Sequence, residues 1–136
     1  MAKTIYVNLP VANPAAATRF YEAIGCTKNP RFSDENAASM VWSEGINFQL
    51  LTREYFSTFI SKPVADARES CEVLVALSAE TREDVDKTVE AGAAEGGRAD
   101  VREKMDLGWL YNRTVEDPDG HVLEIVWVDS GKMPGA

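Results

Sequence analysis

Glu124 has the strongest claim to chemistry in this chain. It lies in the run HVLEIVWV at residues 121–128. A period of two there sets Leu123, Ile125 and Trp127 on one face, and Val122, Glu124 and Val126 on the other. A carboxylate between two valines on an otherwise apolar strand is costly unless it is paired or metal-bound. Two readings follow: an acid looking into a cavity, or an acid neutralised by an arginine or solvent. The cavity is the expectation. His121 is the single histidine, so sites with two or three imidazole ligands cannot be assembled within this chain. It directly follows the Gly120 turn, on the side opposite Glu124, and reads as an exposed or locally hydrogen-bonded turn residue. Cys26 and Cys71 lie far apart in apolar surroundings, outside any Cys-x-x-Cys pair, and read as buried, inert thiols. No Gly-x-Gly-x-x-Gly or phosphate-loop pattern occurs.

The elements that must position these residues repeat. Residues 4–11 (TIYVNLPV) alternate as a half-buried strand. Asn13-Pro14 starts a helix, whose apolar face is Ala17, Phe20, Tyr21 and Ile24, closed by Gly25. Strands follow weakly at 27–32, better at 37–42 and strongly at 46–52 (INFQLLT), the last two joined by the turn pair Glu44-Gly45. A brief helix is predicted over 53–60 (REYFSTFI), with Tyr55, Phe56, Phe59 and Ile60 on one side. A connector with Lys62-Pro63 comes next. The order then recurs: a strand at 72–78, a helix opened by Thr81 in a capping-box pattern and closed by Gly96-Gly97, a weak strand at 98–104, a strand at 109–115, the turn Asp117-Pro118-Asp119-Gly120, and the last strand. Neither half can bury a sheet face alone, so each needs the other. One domain over 1–136 is expected, with module one at about 4–52, a connector at about 53–70 and module two at about 71–129.

This order, with the phrases VNLPVANPAAATRFYEAIG (7–25) and EDPDGHVLEIVWVD (116–129), resembles the vicinal oxygen chelate superfamily of lactoylglutathione lyase, bleomycin-resistance proteins and extradiol dioxygenases. It looks closest to a bacterial subgroup related to lactoylglutathione lyase. The resemblance implies an α+β fold of paired βαβββ modules, forming an incomplete barrel around a small-molecule cavity, and a homodimer. It also implies a divalent metal held by the first and fourth strands of each module. Glu124 matches the family's closing glutamate and becomes the expected catalytic base or metal ligand. The other three positions match Tyr6, Gln49 or Leu50, and Leu74 or Glu72, so the metal site is expected to be degenerate and any divalent ion weakly held. Tyr6, Asn8, Asn47, Gln49, Trp109 and Tyr111, on strands that line or rim the bowl, are the expected ligand-binding residues. They would recognise by shape and neutral hydrogen bonds.

Charge narrows the partners. With 22 Asp and Glu against 14 Lys and Arg, the formal charge is −8. Such a surface repels nucleic acid and anionic lipid. No apolar run reaches the length of a membrane span and no signal peptide is visible, so a cytoplasmic protein with a small-molecule partner is expected. Two functions compete: a glyoxalase-like lyase or isomerase acting through Glu124, narrowly preferred, and a non-catalytic protein that sequesters a cationic or aromatic ligand. Dioxygenase activity is not expected.

Overall fold

Alternating apolar residues and well-placed turn formers build strand, helix and further strands twice over. In the computed structural model, which describes residues 2–135, the first module holds β1 (Ile5–Val11), α1 (Pro14–Ala23), β2 (Thr27–Asn29), β3 (Ala37–Ser43) and β4 (Ile46–Thr52). A five-residue helix, α2 (Arg53–Ser57), leads into a connector without regular structure over 58–74. The second module holds β5 (Val75–Ser78), α3 (Arg82–Ala94), β6 (Arg98–Ala99), β7 (Met105–Asp106), β8 (Leu110–Glu116) and β9 (Val122–Val128). Weakly patterned stretches came out shorter than expected. The strand predicted over 27–32 gives way to a 3-10 turn at Pro30–Phe32. The one predicted over 98–104 breaks into β6 and β7 around Asp100, whose φ of +56° no strand accommodates.

Each module makes its own sheet. The strand orders are β1-β4-β3-β2 and β5-β9-β8-β6, with β7 also paired to β8. The helix crossover makes β1 parallel to β4 and β5 parallel to β9, while the other pairs are antiparallel. The two sheets are not joined into a closed barrel, which is the incomplete-barrel architecture expected. Asn13 caps α1 by accepting from the amides of Ala15 and Ala16, and Thr81 caps α3 by accepting from that of Asp84.

A single core fills the helix side of both sheets. Phe20 and Tyr21 from α1 and Val85 and Val89 from α3 meet Phe48 and Leu50 of β4 and Leu123 and Ile125 of β9, all fully or almost fully buried. The two helices approach closely because Gly92 has no side chain, and a Cβ there would stand 2.8 Å from the Phe20 ring. The turn after β8 clasps the halves together. Asp117 accepts from the Tyr21 hydroxyl at 2.9 Å and from the amides of Asp119 and His121. Asp119 accepts from the Ala12 amide at 2.8 Å, and the His121 Nε2–H donates to the Pro10 carbonyl at 2.8 Å. Burial pushes the Asp117 carboxyl up and the Tyr21 hydroxyl well up. His121 is therefore a turn residue, but its ring bonds across to the first module rather than locally or to solvent as the sequence suggested.

Cys26 is buried, and desolvation pushes its thiol up to about 12. Cys71 corrects the sequence reading. It is exposed, because the strand expected to begin at 72 starts only at Val75 and leaves 71 on the connector. Among the described residues no helix is long and apolar enough to cross a membrane.

Candidate functional site

With the core on one side, the opposite face of the first sheet is free, and parity decides what it carries. Register sets Tyr6 beside Asn47, and Asn8 beside Gln49, which in turn faces Ser39. These side chains floor a hollow of about 850 Å³. Tyr55, Phe56 and Phe59, on and just after α2, wall one side, and Phe32, after β2, lines it too. Tyr55 and Phe59 meet edge to face, with ring centroids 5.0 Å apart. Tyr6 and Phe59 remain 59% and 64% exposed, so these rings are presented to a visitor and are not spent on the core.

The polar groups on the floor of this hollow are neutral and lightly engaged, while Arg31 and Asp34 are the two charged residues of its lining. The Gln49 Nε2 donates to the Ser39 Oγ at 3.1 Å, which leaves the Gln49 carbonyl oxygen unused by that bond. The amide bonds from Asn8 to the Tyr6 carbonyl and from Asn47 to the Ile5 carbonyl are long, at 3.4 and 3.5 Å, and weak by their geometry. Asp34, the one carboxylate of the lining, already accepts from the amides of Asn36 and Ala37. Four of the six expected ligand-binding residues, Tyr6, Asn8, Asn47 and Gln49, are thus brought together.

The other two are not. Tyr111 pairs with Trp127 and lies on the helix side of its sheet. Its ring sits under the Arg82 guanidinium at 4.4 Å, and its hydroxyl donates to Asp86 at 2.7 Å. Trp109 precedes β8, is half-buried, and lines neither this hollow nor the one between the modules described below.

Glu124 does face away from the core, as its parity required, but it lines neither hollow. Arg102, in the irregular segment before β7, reaches over the second sheet. Its Nη2 donates to the Glu124 carboxylate at 2.5 Å and to Asn112 Oδ1 at 2.7 Å. The pair is partly withdrawn from water, with side-chain exposures of 34% and 20%. This arginine was missed in the sequence because it acts across a loop. The arrangement corrects the expectation that Glu124 looks into a cavity shared by both halves. A guanidinium fills that space, and the large hollow belongs to the first module and α2.

The residues at the expected metal positions do not fit a metal ion. A phenol, a neutral amide, either the hydrocarbon of Leu74 or the exposed Glu72 of the connector, and a carboxylate already held by a guanidinium make a poor donor set, and a fixed cation beside Glu124 opposes a second. Among the described residues no group of three or more His, Cys, Asp or Glu is placed to hold one.

Beneath the second sheet an unforeseen network holds α3. Arg113 on β8 is almost fully buried and donates to Asp100 at 2.7 Å, Glu90 at 2.7 Å and Asp86 at 2.9 Å. The Tyr111 and Arg113 hydrogen bonds hold Asp86 below the usual carboxylate range, and those from Arg113 do the same for Asp100.

Two sheets of this connectivity, each backed by its helix and open on the other face, have the fold of solved structures described as glyoxalase/bleomycin resistance/dioxygenase proteins. A glyoxalase/bleomycin resistance protein/dioxygenase family enzyme from Burkholderia phytofirmans superposes with a TM-score of 0.76 at 19% identity, over 93% of this chain and 99% of that one. A glyoxalase-related enzyme from Fulvimarina pelagi gives 0.76 at 19%, over 93% and 88%. A lactoylglutathione lyase from Agrobacterium tumefaciens gives 0.68 at 14%, over 98% of both chains. At these identities the likeness is one of fold. No protein-family model matches the chain, and no curated protein sequence matches it.

Proposed function

We propose that this chain is a member of the glyoxalase/bleomycin resistance group that binds a planar aromatic small molecule in the hollow of its first module and sequesters it without turnover. One observation carries the reading. The hollow of the first module is lined mainly by exposed aromatic rings and neutral amides, with Arg31 and Asp34 its only charged residues, and the carboxylate expected to do chemistry lies elsewhere, neutralised by Arg102. Rings 5–7 Å apart stack or meet a flat guest edge to face. Gln49, Asn47 and Asn8 offer neutral hydrogen bonds to hydroxyl or carbonyl substituents on its edge. The lyase reading needs Glu124 as base or metal ligand, and its partner and placement argue against both roles.

Calorimetric titration with planar aromatics bearing hydroxyl or carbonyl groups tests the proposal. Saturable one-to-one binding is expected, weakened about fivefold in Gln49→Leu, the equivalent of one net hydrogen bond. Absence of binding across such compounds would defeat it. So would turnover of a hemithioacetal that disappears in Glu124→Gln.

A further inference from the structure

A second hollow of about 400 Å³ lies between the modules, and its lining differs from the first. Its walls are largely hydrocarbon. Leu9 comes from β1, Val75 from β5, Val122 and Leu123 from β9, and Pro63 and Val73 from the connector. His121 also borders it, with its Nε2 engaged by the Pro10 carbonyl, and Lys62, Ser70 and Glu72 add polar groups at the connector side. The two hollows are neighbours. Asn8, Phe56 and Ile60 line both. Phe56 belongs to the five-residue α2, and Ile60 to the irregular chain just after it.

From this juxtaposition we infer that the ligand is amphipathic: a planar, hydrogen-bonding head in the first hollow and an aliphatic arm that passes Phe56 and Ile60 into the second. This rests on the proposed function and names the chemical class it leaves open. Neither hollow alone accounts for such a molecule. The first supplies the rings and amides that read a polar aromatic head. The second supplies a mostly apolar wall, with its charged groups Lys62 and Glu72 on the connector, and suits a chain that recognition elsewhere has already positioned. At roughly 30 Å³ for each water-sized group, 400 Å³ accommodates roughly a dozen such groups. An arm of several methylenes therefore fits with room to spare.

The chain carries its own reporter for this. Cys71 is an exposed free thiol on the wall of the second hollow, whereas Cys26 is buried in the core. The methyl, butyl and octyl esters of para-hydroxybenzoic acid share one head and differ only in the arm. Affinity is expected to rise by up to about fourfold per added methylene, the transfer value for a fully buried group. The octyl ester should slow maleimide labelling of Cys71, while the methyl ester at equal occupancy should not. Val73→Trp, which crowds the second hollow from the connector, should flatten the dependence on chain length. Equal affinities for the three esters with unchanged Cys71 labelling would overturn the amphipathic ligand and leave the aromatic site standing. Failure of all three esters to bind would remove both.

Discussion

The two modules share a topology and differ in what they do with charge. In the first, the sheet is held to its helix by hydrocarbon and aromatic packing through Phe20, Tyr21, Phe48 and Leu50, and the free face carries neutral amides and rings. In the second, the helix side contains Arg113 among three carboxylates, and the free face is closed by Arg102 on Glu124. Ion pairs thus occupy positions in the second half that correspond to packing and recognition in the first. One half of a repeated scaffold has kept a usable hollow, while the other is committed to holding itself together. Function on such a scaffold lies in the side chains of a face, not in the fold.

The largest expected effect attacks that contrast on the helix side. Arg113→Met leaves Asp86, Glu90 and Asp100 facing one another without their cation. It should lower the unfolding free energy by about 2–4 kcal/mol, at or below the range for breaking a buried pair because the acids themselves reach solvent. Urea unfolding measures this, and a loss near zero would mean that hydrocarbon holds the second module as it holds the first. Acid should act in the same place. Asp86 and Asp100 have folded pKa values held below their unfolded ones, so their contribution is complete above the unfolded value and disappears as pH falls through the folded one. Hydrogen exchange below pH 4 should show α3 and β8 losing protection before α1 and β4, by about 1 kcal/mol after allowance for solvent screening. Simultaneous loss in both modules would erase the distinction.

On the free faces the contrast concerns ligand. Glu124→Gln should leave the affinity of the first hollow unchanged, while Gln49→Leu weakens it about fivefold, close to 1 kcal/mol. The reverse order would transfer the site to the second module.

Much of this was legible in the sequence, for one reason. A strand's period of two is strict, so Tyr6, Asn8, Asn47 and Gln49 could be assigned a common face from β1 and β4 alone. Glu124 was likewise assigned correctly to the face away from the core. What parity cannot supply is register or the reach of a loop. Tyr111 leaves the hollow because it pairs with Trp127, a residue whose helix-facing side was already clear, but that pairing exists only once β8 and β9 are aligned. Arg102 lies in a stretch that reads as a weak strand and is in fact irregular, so nothing local connects it to an acid 22 positions away. The aromatic side of 53–60 was visible as a pattern. That it walls a hollow follows from where α2 leaves β4.

The smallest effect bears most directly on Glu124. Removing Arg102 alone, as Arg102→Met, strands a carboxylate that is 20% exposed on a sheet face. Removing both, as Arg102→Met with Glu124→Leu, replaces the pair by hydrocarbon of similar size, a change that is often neutral or stabilising. The double-mutant cycle should therefore give a coupling of about 0.5–1 kcal/mol, modest because both groups keep some water, with the double variant at least as stable as either single one. Thermal unfolding of the four proteins measures it. A coupling indistinguishable from zero would mean that the guanidinium does not hold the acid in solution. Glu124 would then be free to act as a base or ligand, and the second module would regain the chemistry that its arginine now denies it.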